Sequence, residues 1–165
     1  MAPRGVAQSG SAFGWGPNGR WFKSSRPDLR LASVLEASAS RSALRAVVRG
    51  LGAVATVAGL HTVAAGARSI AGEDAANASV ESELRFYAAF YVAYGLAALR
   101  VAPRADRDGA AVQALAAALF FAGLARASGW LAVGRPHPLH RGLLVIELAA
   151  PPAIVAWQKR LARCG

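Results

Sequence analysis

Six ionisable side chains lie within or at the rims of long apolar stretches: His61, Glu81, Glu83, Arg85, Arg126 and Glu147. Such groups are costly in hydrocarbon and therefore require a partner or serve a site. Glu81 and Arg85 are four residues apart, the spacing at which a carboxylate and a guanidinium meet on one helix face, and Glu83 is a second candidate partner for Arg85. At about 1.5 Å of rise per residue, His61, Arg126 and Glu147 fall at a common depth, roughly 8–9 Å inside the same end of their respective stretches. Two roles fit this cluster. Arg126 with Glu147, and Arg85 with Glu81 or Glu83, would form ion pairs that fix helix register. Alternatively the cluster lines a pocket open to the outer face for a small or amphipathic ligand, or a proton-linked site using Glu147 and His61.

Other chemistry-bearing residues are sparse. Tyr87, Tyr91 and Tyr94 recur at helical spacing, a pattern expected of core packing. His137 and His140 flank Pro138 without a third ligand nearby, so no metal site is expected, and no cofactor is implied. The single cysteine, Cys164, excludes a disulfide framework and a C-x-x-C motif. The chain has no Gly-x-Ser-x-Gly elbow, no phosphate-binding glycine loop and no H-E-x-x-H motif, so the sequence leans away from an enzyme.

The elements that would position these residues follow from hydropathy. Apolar types make up 55% of the chain and charged types 17%, too few charges to cover a water-facing surface. From Ala43 onward there are four apolar runs, about 47–67, 84–102, 109–133 and 142–157, within a membrane domain expected over 41–163. None carries a charged stripe opposite an apolar one, and a four-helix domain cannot bury four such helices completely, so the fold class expected is an all-α bundle of four transmembrane helices. Gly52, Ala55, Gly59 and Ala114, Ala118, Ala122 recur at spacings that allow close helix approach. Pro151-Pro152 is expected to kink the fourth helix.

The formal charge is +10, but residues 1–30 hold a net +4 of it, and the rest flanks the apolar runs, so nucleic-acid binding is not expected. Arg41, Arg45 and Arg49 precede the first span, Arg100, Arg104 and Arg107 lie around the second connection, and Lys159, Arg160 and Arg163 follow the fourth span. The other connections are poorer in basic residues, which predicts a multi-pass inner (plasma) membrane protein with both termini cytoplasmic. Trp130 and Trp157 fall at opposite span ends, as interfacial anchors would.

The first thirty residues have neither helical nor strand periodicity. Val6-Ala-Gln-Ser-Gly10 and Trp21-Phe-Lys-Ser24 resemble the conceptual translation of transfer-RNA arms, and the 24 codons from Gly5 to Asp28 match such a gene in length. Residues 1–33 are accordingly expected to be a spurious or disordered extension, with translation starting at a non-ATG codon such as that of Val34, since Met1 is the only methionine.

Four blocks occur in order: Glu81-Ser-Glu-Leu-Arg-Phe-Tyr87, Gly123-Leu-Ala-Arg126 with Ser128, Gly134-Arg-Pro-His-Pro138, and Ile146-Glu147 with Pro152. Together they resemble the bacterial membrane family called domain of unknown function 4345, over roughly 47–161. The resemblance implies a four-span fold and no activity. The function expected is therefore that of a small non-enzymatic membrane protein, either a helper subunit or a ligand-binding module, whose partners are the lipid bilayer and a small amphipathic ligand or a partner membrane protein. The alternative is a membrane-embedded enzyme or small carrier working through the Glu147, Arg126 and His61 cluster. A cavity reaching these side chains would favour a ligand; a closed set of ion pairs would favour a structural role.

Overall fold

The computed structural model describes residues 26–163. Most of the expected extension, residues 1–25, lies outside them. By chain contacts the molecule divides after Leu35. The described part of the first unit is the helical start of α1 (Arg26–Ala65), in which Leu31, Val34 and Leu35 are exposed. The second unit, from Glu36 on, holds the rest of α1, α2 (Ala78–Val101), α3 (Gly109–Val133) and α4 (Pro138–Arg163), with single 3-10 turns at Gly66–Ser69 and Ala102–Arg104. No strand occurs among the described residues. Helix α1 therefore begins well before residue 47, where the sequence placed the first span. The polar residues Glu36, Ser38, Ser40, Arg41 and Ser42 truncate an apolar run but do not break a helix, and no Gly or Pro follows Pro27 until Gly50.

Local sequence explains the boundaries. Asn77 accepts a hydrogen bond from the Val80 N–H at 3.0 Å and caps α2, and Asp108 accepts from the Ala111 N–H at 3.1 Å and caps α3. Gly134 stops α3 at a φ of +113°, a conformation that side-chain-bearing residues avoid. Pro151 and Pro152 lie inside α4, which continues through them to Arg163. Lacking N–H groups, they leave the carbonyls of Glu147 and Leu148 without their usual helical donors.

Each of the four helices is long and apolar enough to cross a membrane. The distribution of side-chain size supports embedding in lipid. Buried positions are dominated by small residues, such as Ala88, Ala98, Ala102, Ala105 and Ala116, whereas Val57, Phe90, Phe121, Leu131 and Val133 face outward, the last two about 90% exposed. Water would penalise that surface; lipid does not. Helices α1 and α2 touch almost backbone to backbone: a Cβ added at Gly95 would lie 2.6 Å from the Thr56 nitrogen and 2.7 Å from the Gly52 oxygen.

The apolar core lies toward the α2–α3 end, where Leu44, Val48, Val101, Ala105, Val112 and Ile154 bring all four helices together. Polar groups close that end. The Arg45 guanidinium donates two hydrogen bonds to the Asp106 carboxylate, at 2.7 and 2.8 Å, and the Asp106 side chain is only 2% exposed. The Arg45 bond holds the Asp106 carboxyl below its ordinary pKa. The Trp157 indole donates to Ser40 Oγ at 2.8 Å, tying α4 to α1.

Candidate functional site

The opposite end, formed by the starts of α2 and α4 and the ends of α1 and α3, gathers most of the ionisable residues singled out above, in two separate groups. The first ties α2 to the end of α1. Arg85 donates to the Val63 carbonyl and, at 3.2 Å, to that of Ala64, both near the C-terminus of α1. It meets Glu81 at 3.4 Å, while the other Glu81 oxygen accepts from the Ala67 N–H at 3.1 Å. Gly66 makes this closure possible: its φ is +60°, and a side chain there would collide with the Glu81 carboxylate. Glu83 and His61 do not join the group. Both are exposed, and among the described residues neither side chain makes a hydrogen bond or ion pair. His61 thus faces outward from α1, because depth along a helix says nothing of azimuth, and Glu83 is turned away from Arg85 by its two-residue spacing.

The second group joins α3, α4 and α2. Arg126 grips Glu147 through two parallel bonds, Nε to Oε2 at 2.8 Å and Nη2 to Oε1 at 2.9 Å. The Glu147 side chain is 7% exposed and that of Arg126 24%. The Arg126 Nη2 also approaches the Tyr91 hydroxyl at 3.4 Å, and its Nη1 lies 3.2 Å from His140 Nδ1. A guanidinium can only donate, so Nδ1 is the acceptor and His140 is neutral with its proton on Nε2. That Nε2 is buried and has no hydrogen-bond partner among the described residues. The neighbouring Arg141 Nε is likewise buried and unbonded.

The sequence does not single out Tyr91 and His140 as partners of Arg126, although it carries a signal for His140. His140 precedes Glu147 by seven residues, two helical turns, which puts the two on one face of α4. The tyrosine stripe is only partly core: Tyr87 is exposed, Tyr91 approaches Arg126, and Tyr94 alone is half-buried, donating to the Leu115 carbonyl at 3.3 Å. His137 and His140 meet edge to face at 6.4 Å, and among the described residues no group of three metal-ligating side chains forms around them.

Beside the Arg126 group lies an open pocket of about 450 Å³ between the end of α3 and the start of α4, lined by Arg126, Trp130, Val133, Arg135 and His140 among others. A void bordered by Val48, Tyr94 and Ile154 measures about 20 Å³, room for a single water at most.

Four antiparallel apolar helices, small side chains within and large ones without, and a polar cluster at one end define a multi-pass membrane bundle. The chain belongs to the family described as Domain of unknown function (DUF4345), whose model matches residues 43–158. No curated protein and no solved structure matches it.

Proposed function

We propose that this is a non-enzymatic, ligand-binding module of the plasma membrane, with both termini in the cytoplasm and the α3–α4 end outward, taking a small amphipathic ligand into the pocket beside Arg126. The observation that carries this is the coincidence of the pocket with the chelated Arg126–Glu147 pair: a volume within the range of small-molecule sites, apolar at Trp130 and Val133, with polar groups converging at Arg126 and His140. A helper-subunit role is compatible with such a site, the ligand then being a group carried by the partner. The enzyme or carrier alternative fares less well. Both Glu147 oxygens are occupied by Arg126, which makes the carboxylate a counter-ion rather than a free base, and His61 is remote from it in orientation.

Gly129 lines the pocket, and a Cβ added there meets nothing within 4 Å. Gly129→Trp should therefore fill the pocket without disturbing the bundle. Intact-mass spectrometry of the protein released from mild detergent is expected to reveal a retained small-molecule adduct that the variant lacks. A wild-type chain that carries no adduct, or a variant that keeps it equally, would refute the proposal.

A further inference from the structure

We infer that the pocket's ligand is an amphiphile with an anionic head, held by Arg126 and Arg135, with its apolar chain lying along the outward face of α3; this rests on the ligand-binding reading above.

The charge balance points that way. Eight residues line the pocket and none is acidic, whereas two are arginines and one is a histidine. The nearby acid, Glu147, is already neutralised by Arg126, so the Arg135 charge has no carboxylate within the pocket lining to answer it. Donors are also in excess. Arg126 has five N–H groups, and its bonds to Glu147, Tyr91 and His140 engage only one of the two on Nη1. Among the described residues the second Nη1 hydrogen has no acceptor, on a side chain that lines the pocket. The Nδ1 lone pair of His140 is taken by Arg126 and its Nε2 is buried, so that ring lines the pocket without offering it an acceptor. A neutral hydroxyl would satisfy one donor; a carboxylate or phosphate oxygen set would satisfy several and neutralise Arg135.

The chain of the amphiphile follows from the rim. Trp130 and Val133 line the pocket, and Leu131 and Val133 stand about 90% exposed beside it, so the pocket opens onto a surface suited to acyl chain rather than to water. A free inorganic anion would use only half of these features. The geometry thus favours a single-chain lipid anion over a soluble one.

The test compares oleate, oleyl alcohol and inorganic phosphate as ligands of the full chain in lipid nanodiscs, by equilibrium binding and thermal shift. Oleate is expected to bind at least about tenfold more tightly than oleyl alcohol, equivalent to about 1.4 kcal/mol. Arg135→Gln, a change at an exposed side chain, should erase most of that difference, and phosphate alone should not raise the melting temperature. Equal affinities for acid and alcohol, both abolished by Gly129→Trp, would leave an amphiphile pocket standing and overturn the anionic head. Phosphate binding as tight as that of oleate would overturn the lipid source. Binding of none of the three would overturn this inference; the wider ligand-binding reading then stands or falls on the retained adduct.

Discussion

Arg126 carries five donors, and how they are used decides what Glu147 is for. A bidentate pair with a carboxylate 7% exposed is strong in geometry but costly in desolvation, so its removal is asymmetric: one partner lost leaves the other charge stranded, and both lost leaves neither. Glu147→Gln or Arg126→Met alone is expected to cost about 2–4 kcal/mol, less than the deepest buried pairs because Arg126 retains 24% exposure. The double variant should lose clearly less than the sum of the two. A double-mutant cycle of thermal stability in detergent reads this directly, and simple additivity would show that the pair contributes no coupling. The sequence made Arg126 and Glu147 legible as partners, because each is the lone charge in the interior of its apolar run and a short connection joins the runs. It did not place His61. Six residues of helix turn through more than a full circle, so an error of one or two positions in register moves a side chain from the bundle interior to the lipid.

At the scale of the element, close contact between α1 and α2 depends on the absence of side chains at Gly52 and Gly95. Gly95→Leu would drive a side chain into the α1 backbone, where the Thr56 nitrogen and Gly52 oxygen cannot yield, whereas Gly50→Leu meets nothing within 4 Å. The first substitution is expected to lower the melting temperature strongly or prevent recovery of folded protein, and the second to leave both near the wild type. A similar response to both would mean that the helices are not seated on these glycines. Small-residue spacing announced this contact in the sequence for Gly52 and Gly59. Gly95, which faces Gly52, is the single glycine of its run and belongs to no glycine repeat. The closure of the α2–α3 end by Arg45 and Asp106 had no sequence signal either: Asp106 lies between Arg104 and Arg107, and only the fold brings Arg45, sixty-one residues earlier, to its carboxylate.

For the whole molecule the sequence disclosed four spans and their order, since apolar length and the absence of charged stripes are properties of each segment alone. The two unlike ends were not disclosed, because they arise from which helices pack together. Their orientation remains a separate matter governed by lysine and arginine outside the spans. A cysteine at Ala76, in the α1–α2 connection, should react with a membrane-impermeant thiol reagent added to intact cells, while Cys164 should react only after permeabilisation. The reverse pattern would put the pocket on the cytoplasmic side.

The proline pair in α4 gives that helix a mechanical character the others lack. The carbonyl of Glu147 is one of the two left without a helical donor and His140 lies two turns before it, while Ile154 and Gln158 are buried beyond the prolines. Helix α4 runs on as a helix but lacks two backbone bonds at its middle, the point where it resists bending least. A displacement of the arm bearing Glu147 would be taken up at the prolines before it reached the sealed base.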